Sequence, residues 1–394
     1  MALISSRRRF LAGLAAGAAA APLPSFAWAS GNGPHRFVLV LLRGGLDALA
    51  AVPPIDDPHY RDARGTLALA PKAVLPLDNT FGLHPALAPL ANWYAEGHLM
   101  PVHAVGLSYR GRSHFNAQDA LENGTESPSG ADSGWLNRAL VSMPGEPSAT
   151  AIGTTLPLVL RGDATASSVD PTRKSRPPED FVESVLDLYA RDPILSDALT
   201  QALETRGQVM SSGSATRKRA SRTERSSAGF KAAGTLMADA NGPRIMVVDS
   251  AGWDTHARQG TEEGALARLL AGLASGLVEL RAGLGDVWAS TTVLCISEFG
   301  RTVRPNGTGG TDHGTGGVAL LAGGNVLGGR VVTDWPGLRP QDLLDGRDLR
   351  PTLAARQLFK AALHGGLDIS DNALEQVVFP GTAALPRPTG WFRS

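Results

Sequence analysis

The sequence predicts an α/β sandwich built around a largely parallel β-sheet, and two patterns in the chain support this. The first is a set of short runs rich in Val, Ile and Leu that do not alternate with polar residues, which is typical of strands covered on both faces. The second is a helical periodicity in the segments between those runs. Strands that alternate with helices indicate a parallel sheet with helices packed on it.

The runs and the helical patterns divide the chain as follows. The predicted strands are residues 37–42, 100–105, 156–160, 245–248, 292–296 and 318–321. The predicted helices are residues 85–97, 115–123, 177–205, 264–284 and 351–364. A variable insertion is predicted around residues 161–230, and within it residues 206–227 are rich in Ser, Arg and Lys. This basic stretch predicts a mobile surface loop or a solvated helix end, with an anionic partner as the alternative.

The first 29 residues have the three parts of a twin-arginine signal peptide. Paired arginines precede Phe and Leu in residues 6–11 (SRRRFL), an apolar Ala/Gly-rich run follows over residues 12–21, and residues 27–29 (AWA) suit a signal peptidase. The run is too short for a transmembrane helix, which needs about 20 strongly apolar residues. We expect cleavage before Ser30 and export to the periplasm or medium by the twin-arginine translocase. The alternative is a disordered basic N-terminus.

Charge and cysteine content narrow the class of protein. Residues 1–29 contain three arginines and no acidic residue, which leaves 34 basic and 37 acidic side chains and a net charge of about −3. That balance argues against a nucleic-acid binder, and no later stretch is apolar enough to span a bilayer. Cys295 is the only cysteine, so no internal disulfide forms, and we expect it to be a small buried apolar group. Residues 30–394 are enough to bury a large core, as one large domain or two, and we expect a single domain.

Most chemically active side chains follow a predicted strand, where open α/β sheets bind their ligands. Asp47 ends the segment 43–47 (RGGLD), whose glycines allow a sharp turn. It is either a ligand in the crevice or a helix N-cap.

The second predicted strand is followed by residues 108–114 (SYRGRSH) and then by a helical pattern. Ser113 is expected at or near the N-cap, where the helix dipole stabilises an alkoxide or a bound anion; the alternative is a plain cap. Arg110 and Arg112 are natural partners for phosphate or sulfate oxygens. His114 is a ligand, a base or a helix-start residue, and nothing local decides among these.

Two later segments pair an aspartate with a histidine. Asp254 and His256 are one residue apart and face one point if the segment is extended, which suits zinc or a similar ion. A structural turn is the alternative. Asp312 and His313 lie in a Gly-rich loop, which can wrap closely around a metal.

Glu298 ends a predicted buried strand, where a carboxylate needs a cation or several donors. Arg301 is the alternative partner, in a structural salt bridge. Together the candidates resemble the parts of a two-metal hydrolase with a serine nucleophile. The candidate metal ligands are Asp47, Asp254, His256, Glu298, Asp312 and His313, and the candidate catalytic residues are Ser113, Arg110, Arg112 and Arg301.

In combination these segments resemble the family catalogued as domain of unknown function 1501, over nearly all of the chain after the signal. The resemblance rests on residues 43–47 (RGGLD), 81–85 (FGLHP), 112–115 (RSHF), 252–256 (GWDTH), 298–302 (EFGRT) and 311–314 (TDHG). The family is grouped with the alkaline phosphatase-like superfamily. The resemblance therefore implies a three-layer sandwich, with a central, mostly parallel sheet between helices and metals at the strand ends.

The resemblance also implies roles for single residues. By it, Asp47 stands for a metal-bridging Asp, Ser113 for the nucleophile, Asp254, His256 and His313 for the ligands of one metal, and Glu298 for the carboxylate of the other. The superfamily has an Asp-His pair where this chain has Glu298 and Phe299, so one imidazole is absent. The second site is therefore weak, uses His114, or is occupied by Arg301 in place of a metal.

These observations predict an exported metal-dependent hydrolase of phosphate or sulfate esters, with an anionic ester as its substrate. It would hold one or two divalent ions. Zinc is the expected ion, and magnesium or manganese would also fit the oxygen-rich position. One alternative is a non-catalytic periplasmic protein on the same fold that binds an envelope polymer or a partner protein. Another is a transferase or isomerase that moves a phosphoryl-type group.

Overall fold

The computed structural model describes residues 35–145, 147–171 and 222–393, with scattered positions between 182 and 203. In these residues eight strands form one sheet in the order β10-β4-β9-β8-β1-β7-β5-β6, and β2 pairs with β3 in a separate ribbon. The strands are β1 (Arg36–Arg43), β2 (Leu75–Pro76), β3 (Gly82–Leu83), β4 (Leu99–Gly106), β5 (Ala149–Ile152), β6 (Ala166–Val169), β7 (Ile245–Ala251), β8 (Thr291–Ile296), β9 (Gly317–Ala322) and β10 (Leu353–Ala354).

Within the sheet only β9 runs against its neighbours. Strand β1 pairs in parallel with both β7 and β8, while β9 is antiparallel to both β8 and β4. Strands β1, β4, β7 and β8 therefore all end at the same edge, and β9 begins there. The predicted α/β fold with a mostly parallel sheet is confirmed.

Helices cover both faces of the sheet. The α-helices in the described residues are α1 (Ala48–Ala51), α2 (Tyr60–Arg64), α3 (Ala88–Ala95), α4 (His114–Asn123), α5 (Trp135–Ser142), α6 (Arg222–Ala238), α7 (Ala265–Leu284), α8 (Ala355–Leu367) and α9 (Asp371–Ala373). None of these helices is long and apolar enough to cross a membrane.

Strand β1 shows why the predicted strands lack alternation. Val38, Val40 and Leu42 pack into one apolar cluster with residues of α3, α6 and α7. Phe37, Leu39 and Leu41 pack on the other face, with residues of α5 and α8. Both faces are buried, so each side chain is apolar, and each one fully removed from water stabilises the fold by roughly 1.5–3 kcal/mol. Cys295 is buried in β8, as expected, and burial raises the pKa of its thiol.

One predicted strand is wrong. Within residues 156–160 the chain forms a 3₁₀ turn at Leu158–Leu160, which Pro157 precedes. Proline has no N–H to donate to a strand ladder, and the apolar side chains that follow fill the core from a turn instead. The strands in this region are β5 and β6, whose small and polar residues gave no strong apolar run.

Several predictions fall outside the described residues. These are the signal over residues 1–29, most of the predicted helix over 177–205 and the basic stretch over 206–221. From Arg222 onward the chain is the start of α6.

Candidate metal centre

Three imidazoles surround the carboxylate of Asp254 at the carboxyl edge of the sheet. His256 Nε2 lies 2.9 Å and His313 Nε2 3.2 Å from Asp254 Oδ1, and His114 Nε2 lies 3.3 Å from Asp254 Oδ2. The ligand atoms of His114, Asp254 and His313 all lie within 4.8 Å of one another. The structure thus brings together three predicted ligands and adds His114, whose role the sequence left open.

The other ring nitrogen of each imidazole bonds to an oxygen acceptor. His114 Nδ1 lies 2.8 Å from Glu298 Oε1, His256 Nδ1 lies 3.2 Å from Asp312 Oδ1, and His313 Nδ1 lies 2.7 Å from the carbonyl oxygen of Arg112. An oxygen that can only accept favours a proton on Nδ1, and this turns the lone pair of Nε2 towards Asp254.

This donor set fits a divalent metal ion. Nε2 of His114 is buried and has no hydrogen-bond partner among the described residues. Ligand atoms at 2.0–2.1 Å from a tetrahedral zinc ion lie roughly 3.3 Å apart, close to the separations around Asp254. Imidazole nitrogens with a carboxylate oxygen suit zinc and similar ions. His114, Asp254 and His313 could therefore hold one such ion, and Nε2 of His256 lies 2.9 Å from Nε2 of His313.

The pKa shifts of His114, His313 and Asp254 have different directions and causes. The hydrogen bond to Glu298 raises the pKa of His114, against a smaller opposing effect of burial. Burial lowers the pKa of His313, which favours a neutral ring. Burial opposes ionisation of Asp254, but the hydrogen bond and charge of Arg301 outweigh it and hold the pKa of Asp254 below its usual range.

The structure places Glu298 behind His114 and outside the cluster of ligand atoms. Its Oε1 accepts from Gly44 N–H at 2.8 Å, from His114 Nδ1 at 2.8 Å and from Gln118 Nε2 at 3.1 Å. Burial alone would raise the pKa of Glu298, but the hydrogen bonds from His114 and Gln118 outweigh it and the pKa is lowered. The sequence predicted that a carboxylate buried here needs a cation or several hydrogen-bond donors, and Glu298 has several donors. In this position it orients the ring of His114.

Asp312 also lies one contact away from the ligand atoms, behind His256. Asn306 Nδ2 donates to Asp312 Oδ1 at 3.0 Å, and this hydrogen bond lowers the pKa of Asp312. Its carboxylate therefore orients His256 in the way that Glu298 orients His114.

The alternative pairing of Arg301 with Glu298 is wrong. Arg301 Nη1 lies 2.6 Å from Asp254 Oδ1, and Nε donates to Thr311 Oγ1 at 3.1 Å. Its side chain is buried, and its remaining bonds go to the carbonyl oxygens of Gly44 and Thr311. With its donors used in this way, Arg301 is a fixed cation on Asp254 rather than a contact for a substrate anion.

Asp47 does not join the cluster either. Arg64 Nη2 lies 2.5 Å and Gln259 Nε2 2.7 Å from Asp47 Oδ2. Asp47 occupies the N-cap position of α1 without a capping side-chain hydrogen bond. A fully buried guanidinium from α2 thus takes the place that the sequence assigned to a metal, and nothing in the local pattern around Arg64 signalled this pairing.

The segment before α4 reaches the rim of the centre. Ser113 is the N-cap of α4, as predicted, and its Oγ accepts from Asn116 N–H at 3.5 Å. Ser113, Arg110 and Arg112 are exposed. Because the carbonyl of Arg112 bonds to His313, this segment is attached directly to a candidate ligand.

The sequence prediction missed three residues that support the centre: Arg43, Gln118 and Glu122. Gln118 and Glu122 follow His114 at intervals of four along α4, which places all three on one helix face. The available signal was the spacing of these polar residues, four apart along a helix that also buries Ala117, Ala120 and Leu121.

The fold and this centre define an α/β protein with a candidate divalent-metal site at the carboxyl edge of its sheet. The chain belongs to the family described as protein of unknown function (DUF1501), whose model matches residues 98–378. The resemblance noted from the motifs is thereby confirmed at the level of the family. No curated protein matches the chain.

The solved structures that are similar to it include the following two. One is described as the crystal structure of Ps i-CgsB, with 12% identity over 91% of this chain and 75% of that chain and a TM-score of 0.42. The other is the C-terminal periplasmic domain of EcEptC from Escherichia coli in complex with Zn, with 11% identity over 74% of each chain and a TM-score of 0.34.

Proposed function

We propose that this protein is an exported hydrolase of phosphate or sulfate esters that uses one divalent metal ion, and zinc is the ion that we expect. The ion is held by His114, Asp254 and His313, with His256 as a fourth ligand. The observation that carries the proposal is the convergence of three Nε2 atoms on one carboxylate, with each opposite Nδ1 held by an oxygen.

Contacts of Asp254 and Glu298 favour one ion over two. Arg301 already places a positive charge 2.6 Å from Asp254 Oδ1, which leaves this carboxylate less negative charge for a second cation. Glu298 and Asp47, the carboxylates expected at a second site, are engaged by His114 and by Arg64. Phe299 stands where the superfamily has a histidine, and in the proposed single site His114 would supply an imidazole instead.

The positive charge of the segment that ends at Ser113 supports an anionic substrate. Arg110 and Arg112 are exposed and adjacent to a positively polarised helix N-terminus, which suits the oxygens of a phosphate or sulfate group. The hydroxyl of Ser113, next to the ligand His114, is the nucleophile of the proposal. The transferred group would form a bond to Ser113 Oγ while its bond to the ester oxygen breaks, and the serine proton would pass to that oxygen to give the alcohol. Water would then break the bond to Ser113 Oγ, which returns the serine hydroxyl and the free anion.

Each set of residues has a separate task in this reaction. A bound ion would supply Lewis-acid polarisation of the ester and would favour ionisation of the Ser113 hydroxyl. The arginines neutralise the charge of the transferred group, while Glu298 and Asp312 hold His114 and His256 in the required ring orientation.

Phe115 gives a further indication about the substrate. Its side chain follows His114 directly and is 81% exposed, so a large apolar ring is open to solvent at the start of α4. A ring at this position, next to Ser113 and His114 in the chain, would offer an apolar face to the organic part of an ester.

The test is elemental analysis of protein purified without chelator, followed by assays with phosphate and sulfate esters. We expect about one equivalent of zinc or a similar metal, turnover of at least one ester class, and loss of turnover with retained metal in Ser113→Ala. Ser129→Ala, at an exposed serine away from the centre, is the control. A stable folded protein without metal would overturn the proposal and favour the non-catalytic binding protein. Unchanged turnover in Ser113→Ala would overturn the role of Ser113.

Export remains a separate part of the proposal. Ser30 as the first residue of the protein recovered from the periplasm or medium would support it, and an uncleaved cytoplasmic chain would contradict it.

A further inference from the structure

Helix α4 carries His114, Gln118 and Glu122 on one face, next to the end of β1. Gln118 Nε2 donates to Glu298 Oε1 at 3.1 Å, and the same oxygen accepts from His114 Nδ1. Gln118 therefore bonds to the carboxylate that orients a candidate ligand, without itself lying among the ligand atoms.

Arg43, the last residue of β1, determines which way the amide of Gln118 points. Arg43 Nη1 donates to Gln118 Oε1 at 3.1 Å and to Glu122 Oε1 at 2.7 Å, and Nε donates to Asp249 Oδ1 at 3.0 Å. A guanidinium only donates hydrogen bonds, so the oxygen of the Gln118 amide must face Arg43 and its nitrogen must face Glu298.

Arg43 is itself held in place by the protein around it. Two carboxylates, Glu122 and Asp249, contact the guanidinium, and the second oxygen of Glu122 accepts from Val159 N–H at 3.1 Å. A continuous set of contacts thus leads from this buried backbone amide through Arg43 and Gln118 to the candidate metal centre.

We propose that Gln118 and Arg43 are positioning residues for the metal centre. They hold Glu298 in the orientation in which it accepts the Nδ1 proton of His114 and leaves Nε2 of His114 as a ligand. This inference rests on the proposed metal function and adds residues that do not touch the ion.

Loss of Gln118 removes one of the donors on Glu298 Oε1 and leaves Arg43 without one acceptor. Among the described residues, Glu298 is then held by Gly44 N–H, Ser297 Oγ and His114 itself, so the ring of His114 is held less firmly in one orientation. Loss of such a partner behind a ligand typically weakens metal binding by roughly tenfold to a hundredfold.

The experiment measures zinc affinity by competition with a chelator in the full-length protein and in Gln118→Leu. We expect affinity to fall by roughly ten- to a hundredfold, with one equivalent still bound at saturation. Bound Co²⁺ should also show an altered visible spectrum, which a purely structural loss of stability would not produce. Gln357→Leu is the matched control, because the two hydrogen bonds of Gln357 go to Ala354 and Pro386 and none goes to the centre.

A second comparison shows whether Gln118 acts through His114. In a His114→Ala background, Gln118→Leu should cause no further loss of affinity, because the ligand it positions is absent. If Gln118→Leu does not fold, Gln118→Glu preserves the volume, removes the donor to Glu298 and should weaken binding in the same direction.

The outcomes separate the two proposals. Unchanged affinity and an unchanged Co²⁺ spectrum in Gln118→Leu or Gln118→Glu would overturn the positioning role while leaving the metal centre in place. Equal losses with and without His114 would also overturn it. A wild-type protein that binds no metal would overturn both proposals.

Discussion

The Nε2 atoms of His256 and His313 lie 2.9 Å apart. The Nδ1 proton of His313 is donated to a backbone carbonyl, and burial lowers the pKa of this ring. Its Nε2 therefore presents a lone pair, and so does Nε2 of His256 when Nδ1 donates to Asp312. With the protons assigned in this way, two Nε2 lone pairs meet the carboxylate of Asp254, whose Oδ1 also accepts from Arg301. A shared cation would stabilise that arrangement.

Removal of either ring should therefore weaken metal binding strongly. We expect His313→Ala and His256→Ala each to lower zinc affinity by more than the roughly tenfold to hundredfold typical of residues behind the ligands. Competition titration with a chelator measures this loss. His59→Ala, at an exposed histidine, is the control and should bind like the wild type. Wild-type affinity in both ligand variants would contradict the assignment of the centre.

Gly44 should tolerate no side chain, because its backbone is left-handed and abuts Asp254. Its φ is +124°, and a Cβ atom would lie 2.5 Å from the backbone nitrogen of Asp254. We expect Gly44→Ala to lower the free energy of unfolding by about 3 kcal/mol or more, because the overlap with Asp254 adds to the strain of the left-handed backbone. It should also weaken zinc binding, because Asp254 must shift.

Gly346→Ala is the matched control for this substitution. Gly346 also has a positive φ, +62°, but a Cβ there would meet nothing within 4 Å. Urea unfolding should show a smaller loss for Gly346→Ala, of about 1–2 kcal/mol, with zinc affinity unchanged. Equal effects of the two substitutions would show that the close approach to Asp254 does not matter.

Phe115 should influence substrate affinity without influencing the metal. We expect Phe115→Ala to raise KM roughly fivefold for esters of aromatic alcohols, which corresponds to about 1 kcal/mol of lost ring contact. Steady-state kinetics with aryl and small alkyl esters measure the difference, and the alkyl esters should change little. Val141→Ala, at a 53% exposed apolar residue of α5, is the control. A loss of zinc in Phe115→Ala would argue instead for a structural role.

His103 should make the folded state sensitive to acid. Its ring is fully buried and bonds to the carbonyl of Val52, and burial lowers its pKa to about 4. Between that value and the ordinary value of about 6.5, the unfolded chain binds a proton that the folded protein does not. The contribution of His103 is therefore complete above pH 6.5 and falls by up to about 3 kcal/mol as the pH drops towards 4.

Urea unfolding from pH 8 to pH 4, with chelator present throughout, checks this prediction. His103→Gln should be less stable at pH 8 because the core is disturbed, but its stability should fall less steeply below pH 6.5. His59→Gln should keep the wild-type slope. An unchanged slope in His103→Gln would assign the acid sensitivity to other groups.

Much of the fold was predictable because its signals are local. The apolar runs that became β1, β4, β7, β8 and β9 are nearly continuous in sequence, because burial on both faces makes most residues of such a strand apolar. His103 in β4 is a buried polar exception. Strands β5 and β6 were missed because small and polar residues build them, and their pairing in the sheet outweighs a weak local preference.

The sequence by itself determined that Ser113, Asp254, His256, Glu298 and His313 would lie beside strand ends, because a strand's end is set by the residues next to it. Only the tertiary structure decided which of these side chains meet. His114 contacts Glu298 and Asp254 across more than a hundred residues, and Asp47 pairs with Arg64 from a neighbouring helix. Such pairings depend on sheet order, register and the direction of each side chain. These follow from the packing of the whole chain, and no short segment contains them.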